Sequence, residues 1–287
     1  MAIDPTKRVA EIEAMQAAFQ KLVSETGTEL YERLLASLEK IYNKPLQFAF
    51  AYKEFEKKEY KSLIEALAED LITIGTLNND YFAEVSEFTA NKFNPIKKQV
   101  GTFLLDRIGL TSSGKAVQDG FIDLLSNDKT VQRTIQTYVY NAKASNVGLK
   151  GFQKGLKQLL VDSEESIGEI TRFANTFAID LYQQADREIQ LEFSNRLELD
   201  AFLYAGGLIE SSRPFCKERN GKVFLKSEGK QWEKLDFAGK GKNYVWTMLG
   251  HNRCRHTMSY LNNRMAMQRR KDLAEDENGK LYVKQAA

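Results

Sequence analysis

The chain has 287 residues, 43% of them apolar and 28% charged, with a formal net charge of +2. This balance excludes a disordered or fibrous chain and leaves room for one sizeable core or two modest ones. It also excludes a global field that would draw the whole molecule to nucleic acid or an anionic membrane, so any basic surface has to be local. The opening MAIDPTKR has no apolar h-region, and no uninterrupted apolar run reaches the roughly 20 residues of a bilayer-spanning helix. The expectation is a chain made and folded in the cytoplasm, without a membrane partner.

Asp4 and Pro5 make a good N-cap and first helical position, because the carboxylate accepts orphan amides and proline has none to lose. Behind them Val9, Ile12, Met15, Phe19, Leu22 and Val23 form one apolar stripe, which resumes after Gly27 at Leu30, Leu34, Leu38 and Ile41. The spacing predicts an amphipathic helix broken near Gly27. Further helices are expected at about 48–74, 96–109, 115–125, 128–143 and 149–160. A long one follows from about Ser163 to Leu199, with Asp162 and Ser163 as caps. Its expected core side carries Ile167, Ile170, Phe173, Phe177, Leu181, Ile189 and Phe193. The aromatic groups Phe48, Phe50, Tyr52 and Phe55, and Tyr81 with Phe82, read as core.

After Asp200 the texture changes. Phe202, Leu203 and Tyr204 suit a strand, glycines punctuate short segments such as Lys222 to Leu225, and a small α+β module is expected. Beyond Leu261 the chain turns polar, and Asn278-Gly279 between polar flanks signals a turn, so this tail is either mobile or a docked hairpin. The fold class expected is mainly α: an elongated helical N-terminal body over 1–162, a module of a long helix plus a small α+β unit over 163–261, and a polar tail over 262–287.

The module holds both cysteines, both histidines and both tryptophans of the chain. Cys216, His251, Cys254 and His256 are a sufficient tetrahedral set for zinc, which would tie the Cys216 turn to the His251 loop. The spacing agrees only in part: His251 and Cys254 suit a helical turn, whereas Cys254 and His256 suit a strand. The competing structural reading is a buried cysteine pair with histidines bonded to turn backbone. A reducing compartment favours thiols or metal ligands over a disulfide, and a Cys216–Cys254 pair stays open for an extracellular particle.

The same residues carry a resemblance. Ala174-Asn175-Thr176-Phe177, the strand Phe202 to Tyr204, Arg213 with Cys216, Gly221-Lys222-Val223-Phe224, and His251-Asn252-Arg253-Cys254-Arg255-His256 follow in the order of the C-terminal module of tailed-phage head-morphogenesis proteins. The match resembles the minor head proteins of the phage Mu F type over roughly Ser163 to Leu261. In that family the corresponding segments read A-R-T-E, D-x-R-x-C, G-K-x-F and H-P-x-C-R-C. Here Glu210 stands near the family's aspartate, Arg219 takes the second place of a C-x-x-C, and His256 replaces the last cysteine, so the family's metal site is altered. The resemblance implies a non-enzymatic structural protein present in a few copies in the virion capsid. Its implied partners are the portal and other capsid proteins, with a part in head assembly or in DNA packaging and ejection.

Two alternatives come from the residues themselves. A thiol at Cys216 or Cys254, activated by His251 or His256, would make a Cys/His-based or metal-dependent hydrolase, but no separate orienting acid is evident. Arg253, Arg255, Arg264, Arg269, Arg270 and Lys271 form a basic cluster that would contact packaged DNA, with Trp232, Trp246 and Tyr260 available for stacking and Lys240-Gly241-Lys242 as a basic loop. Gly239-Lys240-Gly241-Lys242 lacks the spacing of a phosphate-binding loop, so no nucleotide is implied.

Overall fold

A computed structural model describes residues 4–44, 47–235, 246 and 254–284. It is mainly helical, with a small sheet region toward the C-terminus, as the composition and periodicity predict. The helices are α1 Pro5–Leu35, α2 Leu38–Asn43, α3 Gln47–Phe55, α4 Lys61–Val85, α5 Ala90–Ile108, α6 Phe121–Ser126, α7 Thr130–Ala144, α8 Leu149–Leu160 and α9 Glu169–Arg196. There follow β1 Ala201–Ala205, α10 Pro214–Arg219, β2 Lys222–Leu225, α11 Lys226–Gln231, β3 Thr257–Leu261, α12 Asn263–Arg269, β4 Leu273–Glu275 and β5 Leu281–Val283. No described helix is long and apolar enough to cross a membrane.

The chain divides into two compact units that interleave in sequence, whereas the divisions drawn on the sequence alone at 162 and 261 are consecutive. One unit comprises Met1–Ala14, Leu71–Asp106 and Asp180–Ala287; the other comprises Met15–Asp70 and Arg107–Ile179.

The second unit is helical. Phe152, Leu156 and Leu160 of α8 are buried on one side, and the Phe152 ring stacks on Tyr138 of α7 with centroids 5.6 Å apart. Tyr138 also donates its hydroxyl to the Phe152 carbonyl at 2.8 Å, so α7 and α8 are held as a hairpin. Between α3 and α4 a π-helical turn, Glu56–Tyr60, replaces the continuous α-helix expected over 48–74; in it Glu56 pairs with Lys129, Glu59 pairs with Arg33, and Tyr60 bonds the Leu125 carbonyl. The expected break at Gly27 is absent: α1 runs straight through it. A side chain there would meet the Leu160 carbonyl oxygen at 2.6 Å, so this glycine permits a close helix approach rather than ending a helix.

Two other expectations shift. The helix expected over 115–125 shortens to α6, because Asp119 adopts a left-handed φ of 59° and residues 110–116 form a bridged turn. The long helix starts at Glu169 rather than at Ser163. Asp162 still caps it, accepting from Gly168 N at 2.7 Å and from the Thr171 hydroxyl at 2.8 Å, while Ser163 closes a turn of its own with Ser166. Ile167 lies outside that helix and is exposed.

The first unit is built around a three-stranded antiparallel sheet in the order β2-β1-β3, with Phe202 opposite both Phe224 and Tyr260. Every residue of β1 and β3 is buried, so the sheet is covered on both faces. One face carries Phe202, Tyr204 and Phe224 against Trp232; the other turns Thr257 and Ser259 toward α1 and α9. The outer edge of β3 is capped by helix side chains: Gln190 accepts from Tyr260 N, and Tyr81 donates to the Tyr260 carbonyl at 2.7 Å. Phe48, Tyr52, Phe55, Tyr81 and Phe82 are core as predicted, while the side chains of Phe50 and Phe177 lie outside the described residues. The tail is α12 followed by a β4–β5 hairpin whose turn has Asp276 accepting from Asn278 N and Lys280 N.

Behind the sheet lies a buried polar seam. Asp186 accepts from Arg8, from Asn78 at 2.9 Å and from the Thr257 hydroxyl at 2.7 Å; Arg8 also donates to the Ser259 hydroxyl, and Gln190 donates to Asn78. Both charged groups are almost fully buried, at 4% and 1% exposure. Asp186→Ala would strand the Arg8 charge, and a loss of about 3–5 kcal/mol of stability is expected. Urea melts followed by tryptophan fluorescence, which reports on this unit, check it; a midpoint unchanged from wild type would refute it.

Candidate functional site

The cysteines come together through three short pieces of backbone. Pro214 starts α10, whose single turn buries Cys216 against the sheet. Cys254 and His256 lie just before β3, two residues apart in extended chain, on the same side of the strand. Gly206 makes room for them: a side chain there would meet the Arg255 carbonyl oxygen and His256 Cα at 2.6 Å each.

The resulting centre is compact. Cys216 Sγ and Cys254 Sγ are 3.6 Å apart, Cys254 Sγ and His256 Nδ1 are 4.0 Å apart, and ligand atoms of all three residues lie within 4.8 Å of one another. The cysteines are free thiols, not a disulfide. Tyr204 stacks on the His256 ring at 5.0 Å and donates its hydroxyl to Cys216 Sγ at 3.4 Å. His256 Nε2 is buried without a hydrogen-bond partner among the described residues, the sort of orphaned donor or acceptor that a ligand would satisfy.

Electrostatically the two thiols behave as a pair. The Cys254 thiol is held far below its ordinary range, first by the hydrogen bond from Cys216 and then by His256 and the Arg187 guanidinium, all against the effect of burial. The Cys216 thiol is pushed up by that same hydrogen bond, by burial and by the Cys254 charge. The pair therefore reads as one thiolate held by one thiol. Holding a dication would require the Cys216 thiol to give up its proton, so such binding weakens as pH falls.

Cys216, Cys254 and His256 of the sequence-predicted set are thus brought together, and His251 lies outside the described residues. Two sulfurs and one imidazole supply three corners of a tetrahedron, a donor set suited to zinc. The basic cluster fares differently. Arg270 is an internal tie, donating to Glu228 at 2.9 Å, to Asp272 and to the Val223 carbonyl, so it is not a free DNA contact. Arg255, Arg264, Arg269 and Lys271 are exposed, while Arg253 and the Lys240-Gly241-Lys242 loop lie outside the described residues. Trp232 and Tyr260 are buried and offer no stacking face, while Trp246 is half-buried, packs edge-on with Phe202 and donates to Glu233 at 3.2 Å.

Sequence reasoning missed Arg187. From α9 it donates to the His256 carbonyl at 2.9 Å and also to the Cys254 carbonyl, fixing the segment that carries two of the three donors. A signal was present: Gln183, Asp186, Arg187, Gln190 and Ser194 recur at helical core spacing, but as polar residues.

Gly206→Ala tests the backbone packing under the centre. The added carbon forces the 255–256 segment to move, and a loss of about 1–3 kcal/mol is expected. The melting temperature should fall while Cys216 and Cys254 become reactive to a thiol reagent in the native protein; a variant that melts and reacts like wild type would refute the close approach. No protein-family model, no curated protein and no solved structure matches the chain, so the chemistry of the site rests on these residues alone.

Proposed function

We propose that the chain is a minor structural protein of a tailed-phage head, associated with the portal, in which Cys216, Cys254 and His256 hold a zinc ion that staples the sheet unit. The observation that carries the reading is convergence. Of the segments on which the phage resemblance rests, 202–204 lie in β1, Cys216 in α10, 222–224 in β2 and 254–256 just before β3, and these bring the two cysteines to 3.6 Å. Bound zinc would supply a cross-link between α10 and the chain that leads into β3.

A structural role fits the burial better than a catalytic one. Cys216, Cys254 and His256 are 2–4% exposed, and a nucleophile needs a path for its substrate. Assembly on a capsid asks only for a rigid module on a helical support. Tyr204, by stacking on His256 and bonding Cys216, orients two of the donors at once.

The head assignment is tested by purifying precursor and mature particles and quantifying this polypeptide by mass spectrometry. A few copies per particle are expected, and absence from both forms would remove the assignment. The staple is tested separately on protein purified without a histidine tag. One zinc per chain is expected, falling to near zero in Cys254→Ala, with a melting temperature that drops on chelation. Metal-free wild-type protein whose melt ignores both chelator and added zinc would rule the staple out. Arg187→Gln should keep the fold and weaken zinc by roughly tenfold, because it loosens the segment bearing two donors.

A further inference from the structure

The near-neutral net charge conceals a strongly segregated stretch. From Lys129 to Val161 the sequence carries six basic residues, Lys129, Arg133, Lys143, Lys150, Lys154 and Lys157, and no Asp or Glu. This stretch is the α7–α8 hairpin of the helical unit. Two of the six charges are committed internally: Lys129 pairs with Glu56, and Lys143 lies 4.7 Å from the centre of the Tyr42 ring. Lys150, Lys154 and Lys157 are exposed and form no ion pair among the described residues.

Those three lysines share one face of α8. At 3.6 residues per turn they fall within about 60° of one another, over about 10 Å of helix axis. The opposite side of the helix is spent, since Phe152, Leu156 and Leu160 are at most 1% exposed. Glu164 and Glu165, which follow in the next turn, are exposed and pair with none of the lysines among the described residues.

We propose that the Lys150–Lys154–Lys157 face of α8 is a contact surface for the phosphate backbone of double-stranded DNA, bound without base recognition. Three ammonium groups in a row span several phosphates of one strand, whose charges recur every ~3.4 Å, whereas a small anion would engage only one of them. Lysines are flexible point charges suited to phosphate, and none of the three positions is an arginine fork; Gln153 and Gln158 flank the row, one turn from Lys157 and Lys154. Tyr138 is occupied by Phe152, so it provides no platform for unstacked bases. A membrane surface fits less well, because the apolar side of α8 is already buried and cannot enter a bilayer. The inference stands apart from the virion reading, since it concerns binding by the purified chain.

The test measures affinity of the full chain for a mixed-sequence DNA duplex between 50 and 200 mM salt. Three phosphate contacts give a slope of about −2.7 in log affinity against log salt, a fall of about 40-fold over that range. The variant K150Q/K154Q/K157Q should lose most of this slope, K154Q alone should lose about a third of it, to about −1.8, and K150R/K154R/K157R should retain it. The single and arginine variants keep the test decisive even if the triple glutamine variant melts early. The proposal is overturned if wild-type protein does not bind the duplex at 50 mM salt, or if all variants bind alike. It is equally overturned if only R264Q/R269Q/K271Q abolishes binding, or if phosphatidylserine vesicles are bound at salt concentrations where the duplex is not.

Discussion

The sheet unit depends on one buried ion pair, Arg8 with Asp186. Taking two charges out of water costs several kcal/mol each, and their mutual attraction offsets this only where the remaining polar atoms are also satisfied. Asp186 meets that condition: one carboxylate oxygen takes Arg8 and Asn78, the other takes Thr257. Arg8 reaches on to Ser259 and lies over the Tyr81 ring. A pair of this kind adds little net stability compared with well-packed apolar side chains, but it penalises every arrangement in which one partner is stranded. Segments far apart in sequence, the first turn of α1, the middle of α4, α9 and β3, are therefore held to one mutual arrangement.

The candidate metal centre inherits its geometry from that seam. Thr257 and Ser259 anchor one face of β3 to Asp186 and Arg8, and Gln190 and Tyr81 hold the Tyr260 backbone. With the strand fixed in register, the chain just before it can only deliver Cys254 and His256 to the opposite face, toward Tyr204 and Cys216. Arg187, one residue beyond Asp186 on α9, extends the same anchoring to the Cys254 and His256 carbonyls. Neighbouring residues of one helix thus secure the start of β3 and the backbone just before it.

Helical periodicity made most of the body legible. Leu30, Leu34 and Ile41, or Phe152, Leu156 and Leu160, sit where an apolar stripe says they should. Gly27 misled because a glycine that breaks a helix and one that admits a neighbouring carbonyl look the same in a linear chain. The interleaved units were illegible for a related reason: α1 and α9 each supply both units, so no composition shift marks the division. At the site, rarity of residue type identified Cys216, Cys254 and His256, whereas Tyr204 carries no signature of its role and Arg187 only that of its place in a polar stripe. The polar stripe of α9 was readable only by treating polar residues at core spacing as core.

Two kinds of charge in this protein thus have opposite fates, and sequence totals blur them. Arg8, Arg187 and Arg270 are cations with assigned partners, and each organises backbone or a carboxylate inside its unit. Lys150, Lys154 and Lys157 are cations with no such partner among the described residues, on a helix whose other side is buried. Arginine, with its planar fork and weak hydration, suits the first task, and lysine, strongly hydrated on a flexible stem, suits the second. A surface row of lysines costs little to keep in water, where salt screens its mutual repulsion, and a polyanion can neutralise several of its charges at once with release of counterions. The net charge of +2, from 41 basic and 39 acidic residues, records neither fate. In the C-terminal basic segment Arg270 is engaged in this way while Arg255, Arg264 and Lys271 stay exposed; what sets α8 apart is a row of three lysines on a helix that carries no acidic residue.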